Sequence, residues 1–85
     1  MRYAIEFTAA AARAFRKLPP AVQHRIGSRI DALAVNPRPA GASRLAAAEK
    51  LLRIRIGAYR VIYQVLDDVL RVLVVTIGHR RDVYR

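Results

Sequence analysis

The sequence contains no cysteine. That excludes a disulfide frame, a thiolate zinc site and a cysteine nucleophile. Histidine is scarce, with only His24 and His79, too few for a histidine-built metal centre. Apolar runs are short: Val72–Val75 falls far below the ~20 residues that a membrane span needs. No charged-then-apolar leader opens the chain, because Arg2 leads straight into an alternating pattern. The expectation is a cytoplasmic protein with no membrane partner. Repeats, low-complexity linkers and a Gly-rich phosphate loop are also missing. Acidic residues are few, six against sixteen basic ones, for a formal net charge of +10.

What is present fits one domain, residues 1–85. A chain of this size buries roughly 60–65% of its unfolded surface, which gives modest stability. Its hydrophobic fraction is 54%, enough for a packed core and too much for a disordered tail. The basic residues are Arg apart from Lys17 and Lys50. Arg forms planar, bidentate contacts with phosphate and carboxylate. A field of this sign attracts nucleic acid or an acidic protein.

Tyr3, Ile5 and Phe7 alternate with Arg2, Ala4 and Glu6, the period of a strand. Thr8 is a candidate N-cap for a helix over Ala9–Leu18. Pro19 stops that helix and Pro20 suits the first turn of a second one, reaching about Val35. Val22, Ile26, Ile30 and Leu33 form its apolar stripe. Gly27 lies off that stripe, where it permits close helix packing. Asn36-Pro37-Arg38-Pro39 ends the helix. Residues Ala40–Glu49 read as mostly irregular, with Ala42–Ala48 open between a short helix and a loop. Leu52, Ile54 and Ile56 then alternate with Leu51, Arg53 and Arg55. Gly57-Ala58 reads as a tight turn, Tyr59–Leu66 as a strand, Asp67-Asp68 as a second turn and Val69–Ile77 as a buried strand. The order is strand, antiparallel helix hairpin, three-stranded antiparallel meander. This is an α+β fold with the helices on one face of a small, mostly antiparallel sheet.

A two-residue turn at Gly57-Ala58 sets Arg55 opposite Arg60. Arg53, Arg55 and Arg60 then share one face, and Leu52, Ile54, Ile56, Val61 and Tyr63 share the other. Like charges placed opposite each other cost about as much as the ~0.2–1 kcal/mol that favourable pairs contribute. Folding gains nothing from that juxtaposition, whereas a bound polyanion reverses its sign. Carried through Asp67-Asp68, the register sets Arg60 opposite Val75 and Gln64 opposite Arg71. Arg71 then joins the same face near its far end, and the tail (His79, Arg80, Arg81, Tyr84) reaches its rim. Taken singly, Arg53 and Arg71 read as solvated surface side chains. His24 reads as a surface residue, and Tyr59 and Tyr63 as core packing.

The stretch from Leu51 to Gln64 (Leu-Leu-Arg-Ile-Arg-Ile-Gly-Ala-Tyr-Arg-Val-Ile-Tyr-Gln) resembles the meander of RelE-type toxins of bacterial toxin–antitoxin systems. The ending Gly78-His79-Arg80-Arg81-Asp82-Val83-Tyr84 is similar to their C-terminal segment. Tyr3–Thr8, Lys17-Leu18-Pro19 and Asn36-Pro37 fit as well, so the resemblance spans nearly the whole chain. It implies an mRNA endonuclease acting on translating ribosomes, with no metal or other cofactor. A ribose 2′-hydroxyl attacks the adjacent phosphate and leaves a 2′,3′-cyclic or 3′-phosphate and a 5′-hydroxyl. It also implies a cognate RelB-like antitoxin whose acidic segment wraps the toxin. Promoter DNA is reached only through that complex.

By the same resemblance, Arg55, Arg60 and Arg80 (Arg81 in second place) bracket the scissile phosphate. Arg53 orients the backbone, and Tyr84 stacks on a base or positions the ribose; Arg81 adds binding charge, as does Arg71 by its register on the same face. Relatives often carry Lys at positions 53 and 55. Arginine, with a pKa above about 12, is a poor general base. The departure therefore implies either weaker activity or His79 as the acid or base. Three other readings stay open: a ParE-like poison of DNA gyrase, a non-catalytic nucleic-acid-binding module, and a weakened toxin acting mainly as an antitoxin-binding corepressor.

Overall fold

A computed structural model describes residues 2–46 and 50–79. The elements in chain order are β1 (Ala4–Phe7), α1 (Ala9–Arg16), α2 (Pro20–Ala32), β2 (Ser43–Ala46), β3 (Leu51–Ile56), β4 (Tyr59–Leu66) and β5 (Arg71–His79). A 3-10 turn, Asp67–Val69, joins β4 to β5. The five strands form one sheet in the order β1-β5-β4-β3-β2. Among the described residues, only the β1–β5 pair is parallel. None of the described helices is long and apolar enough to cross a membrane.

Both helices form where the sequence sets their ends. The Thr8 side chain accepts from the Ala11 amide at 3.1 Å and caps α1. Pro20 opens α2, where its missing N–H costs nothing. Ile26, Ile30 and Leu33 are at most 1% exposed and seat α2 on the sheet, with Val22 half-buried beside them. Gly27 faces the Phe15 ring of α1, and a Cβ there would lie 3.4 Å from it, at ordinary contact distance. The core is completed from the sheet by Ile54, Ile56, Val61, Tyr63, Val65, Val72, Val74 and Ile77. Tyr63 is wholly buried, and its hydroxyl donates to the Pro37 carbonyl at 2.7 Å. Burial pushes the pKa of that phenol up.

Two expectations need correction. Part of the supposedly irregular Ala40–Glu49 segment is a strand. Ser43–Ala46 pairs with the open edge of β3, through a register irregularity between Arg44 and Ala46. Ser43-Arg44-Leu45-Ala46 holds no β-branched or aromatic residue and has little strand preference of its own, so an unpaired edge supplies what propensity does not. The second error concerns register. Arg60 lies opposite Gly78, not Val75, and Gln64 opposite Leu73, not Arg71. The turn is longer than two residues, since Leu70 takes the left-handed conformation (φ 52°) after the 3-10 turn and β5 starts at Arg71. Leu66 therefore pairs with Arg71. A bulge between Ile62 and Tyr63 then shifts the rest, leaving Val75 as the extra residue on β5.

The bulge moves every later β5 side chain to the opposite face. With it, Val72, Val74 and Ile77 all enter the core, and Thr76 and Gly78 face away from the helices. Val69 lies outside the strand and is 53% exposed.

Candidate nucleic-acid interface

The face of the sheet turned away from the helices carries the arginines. Gly57 has φ +62° and Ala58 has no positive φ. That pattern, with glycine at the first central position, belongs to a two-residue hairpin turn. It pairs Ile56 with Tyr59, Arg55 with Arg60, Ile54 with Val61 and Arg53 with Ile62. Arg53, Arg55 and Arg60 therefore stand on one face, and Arg55 and Arg60 are direct cross-strand neighbours.

Their environments differ. Arg55 is exposed and Arg53 half-buried, but Arg60 is only 5% exposed. Across β4, Arg60 has Arg55 on one side and Gly78, which offers no side chain, on the other. Ile62 is also buried (9% exposed), yet it stands outside the core cluster. It forms an apolar floor on the arginine face, between Arg53 and Thr76. The Arg53 Nε donates to the Ser43 hydroxyl at 3.3 Å, so the edge strand β2 helps to aim that guanidinium. Among the described residues, the carboxylates in ion pairs lie elsewhere: Asp67 with Arg38 and Glu6 with Arg71.

The remaining candidates separate. Arg71 lies on the same face at its far end, opposite Leu66, 3.4 Å from the Glu6 carboxylate. Both groups are about half exposed, so the contact is weak, but it offsets the Arg71 charge. His79 does not join the arginines. It pairs with Tyr59 on the helix side, ring centroids 5.4 Å apart and edge-on at 74°. The bulge is the cause: an unbroken alternation would have carried the imidazole to the arginine face. The backbone stays close nonetheless, because Gly78, one residue earlier, is the partner of Arg60. Arg80, Arg81 and Tyr84 lie outside the described residues.

Two contributors escaped the sequence reading. Ser43 sits in a strand that propensity hides. Gly78 acquires its place only through the bulge. Ile62, by contrast, follows from the alternation as the apolar neighbour of the arginines. One trace of the bulge does exist in the chain: Thr76 and Gly78 alternate around Ile77, so a core phase that holds at Val72 and Val74 has to change after Val74.

The sequence model of the family described as the ParE toxin of type II toxin–antitoxin systems matches residues 5–84. The chain belongs to the RelE/ParE superfamily of toxins. A putative RelE-like toxin protein of Escherichia coli is 31% identical over 99% of this chain and 92% of its own length. Toxin RelG of Mycobacterium tuberculosis is 30% identical over 100% and 99%. Solved structures agree with the architecture. The archaeal RelE–RelB complex of Pyrococcus horikoshii aligns with a TM-score of 0.83 at 27% identity, over 94% of this chain and 97% of that one. A mutant of Escherichia coli toxin RelE in the free state aligns at 0.82 and 26%, over 99% and 92%. The RelBE2 toxin–antitoxin complex of Mycobacterium tuberculosis aligns at 0.81 and 26%, over 94% and 100%. The chain is thus a type II toxin of the RelE kind, and its fold is that of the RelE structures.

Proposed function

We propose that this toxin is an endoribonuclease that cleaves mRNA on translating ribosomes. The observation that supports it best is the cross-strand pairing of Arg55 with a 5%-exposed Arg60. Two guanidiniums set side by side offer paired charge-assisted donors to a phosphodiester laid between them. As the 2′-hydroxyl attacks, the phosphate gains a second negative charge. Donors held in place beforehand stabilise that state more than the ground state. Arg55 and Arg60 perform this task, Arg80 joins them from the tail, and Arg53, aimed by Ser43, orients the adjoining backbone. Ile62 gives the ribose or base an apolar surface. Tyr84 stacks on a splayed base, the usual means of holding single-stranded RNA. Arg71 and Arg81 add charge at the periphery.

The bond made is 2′-oxygen to phosphorus, and the bond broken is phosphorus to the 5′-oxygen. Water takes the 2′-hydroxyl proton and supplies one to the departing 5′-oxygen, so the products are a 2′,3′-cyclic phosphate, which water opens to a 3′-phosphate, and a 5′-hydroxyl. No metal is needed, because arginine charge takes the place of a Lewis acid. Arginine holds its proton, so rate enhancement rests on charge stabilisation more than on base catalysis. His79 reaches the leaving oxygen only around the end of β5.

In the cytoplasm the toxin is held inactive by a RelB-like antitoxin. An acidic segment of that partner, laid across the basic face, relieves the repulsion of a +10 chain. The RelB-bound forms of the structural relatives favour this partner. Promoter DNA is contacted through that complex.

Purified protein added to programmed ribosomes, with Arg60→Ala as control, tests the reading. Codon-positioned cuts that vanish with Arg60→Ala support it. A fully active Arg60→Ala protein removes it. The ParE name of the matching family favours a second reading, inhibition of DNA gyrase. Double-strand DNA breaks with intact mRNA in expressing cells would select that one.

A further inference from the structure

The β3–β4 hairpin tip carries positive charge on both sides. On one side stand Arg55 and Arg60, the second pair back from the turn. On the other, the Arg25 guanidinium of α2 rests against the turn itself: a Cβ on Gly57 would lie 2.7 Å from its terminal nitrogen and 3.4 Å from its central carbon. A groove of about 480 Å3 opens there between α2 and the turn. His24, Arg25, Ser28 and Arg29 line it, with Ile56 and Gly57 on the sheet side, and among the described residues no carboxylate does. Arg25 and Arg29 are one helical turn apart and stack on the same face.

We propose that this groove is a second subsite for the RNA strand, one that grips the phosphodiester backbone beyond the scissile phosphate after the strand has passed around the hairpin tip. The inference rests on the nuclease reading and extends its site. The two cationic surfaces flank the same two-residue turn. The step between them is on the order of 10 Å, the spacing of packed layers, which a few nucleotides of flexible single strand span. Guanidinium forks and a hydroxyl are the donors that a phosphate backbone takes. A protein ligand would seek an apolar or aromatic anchor. The exposed large apolar residues, Val35, Leu45 and Val69, lie instead on β2, after α2 or at the β4–β5 turn. The groove thus presents the donors of a backbone clamp, and none of these exposed apolar anchors lines it.

The test uses 2′-O-methyl RNA, which binds without being cut, as a tetranucleotide and as a dodecanucleotide. Binding to the full-length protein is followed by fluorescence anisotropy over a salt series. In Arg25→Ser/Arg29→Ser, the dodecanucleotide should lose about 1.4 from the slope of log K against log salt, at ~0.7 per phosphate on a single strand. The tetranucleotide, confined to one face, should keep its slope. Arg25→Lys/Arg29→Lys should restore the dodecanucleotide slope, separating loss of charge from loss of packing on Gly57. Arg13→Ser/Arg16→Ser, which removes the same charge from α1, should leave both slopes unchanged.

Equal changes for both oligonucleotides, no change in either, or the same change from the α1 pair would overturn the subsite. So would weakened antitoxin binding with an unaltered dodecanucleotide slope, which would make the groove a protein contact. Failure of the nuclease reading has a different signature: Arg60→Ala would leave tetranucleotide affinity intact.

Discussion

The Thr8 hydroxyl links the start of α1 to the bulge of β5. It donates to the Val75 carbonyl at 2.8 Å and accepts from the Ala11 amide at 3.1 Å. One oxygen thus caps a helix and satisfies the carbonyl of the residue that breaks the sheet's alternation. The bulge sets Gly78 beside Arg60 and turns His79 away, so this small side chain bears on the arrangement of the basic face.

Replacing Thr8 with valine keeps the shape and removes both bonds. The lost cap costs about 1 kcal/mol, and the part-buried Val75 carbonyl adds ~1–2 kcal/mol if left unpaired. Urea unfolding should show Thr8→Val destabilised by about 2–3 kcal/mol and Thr8→Ser by much less. Equal losses in the two variants would mean that the hydroxyl is not what holds the bulge.

Arg55→Ala separates stability from activity. Removing one of two apposed guanidiniums should leave thermal stability unchanged or raise it by up to ~1 kcal/mol, while growth arrest on expression disappears. A variant that loses stability and keeps toxicity contradicts both halves of that expectation.

At Gly57 two effects act together. An alanine there pays about 1–2 kcal/mol for the left-handed backbone and meets the Arg25 guanidinium. The guanidinium is the end of a flexible side chain and moves aside cheaply, so the backbone term dominates. Gly57→Ala should lower stability by roughly 1–2 kcal/mol in a chemical denaturation curve. Arg25→Ala in the same background should not recover it.

The Arg38–Asp67–Tyr3 clasp gives a pH signature. Arg38 grips Asp67 with two nitrogens, at 3.2 and 2.7 Å, and the Tyr3 hydroxyl donates to the same carboxylate at 2.7 Å. The Arg38 contact, followed by that of Tyr3, holds the Asp67 carboxyl below its usual 3.8. Its contribution is therefore full above that value and is lost as pH falls through the lower folded one. Arg38 and Asp67 are more than half exposed, so the effect is small and salt-sensitive. Melting temperatures of wild type and Asp67→Asn should differ at neutral pH and converge in acid. A constant gap across the range would assign the effect to something other than the charge.

The two helices were legible in the sequence because their ends are marked by Thr8, Pro19-Pro20 and Asn36-Pro37, and the β3–β4 pairing because Gly57-Ala58 admits few turn geometries. Local chemistry determines such features. β2 escaped because its partner, β3, decides it. The β4–β5 register escaped because Leu70 adopts a conformation that leucine disfavours, and because the Val75 bulge is held by a residue 67 positions away. Of the candidate site, the Arg53–Arg55–Arg60 face followed from alternation across one short turn, while the position of His79 depended on everything between Leu66 and Ile77.

The parallel pairing of β1 with β5 has a consequence for how the toxin is made. The first strand has no neighbour in the sheet until residues 71–74 arrive, so this contact between distant segments closes late. During synthesis the nascent polypeptide stays unfinished at its leading edge while most of its length has already emerged. Any chain cut short before residue 71 is therefore left with a first strand that has nothing to pair with.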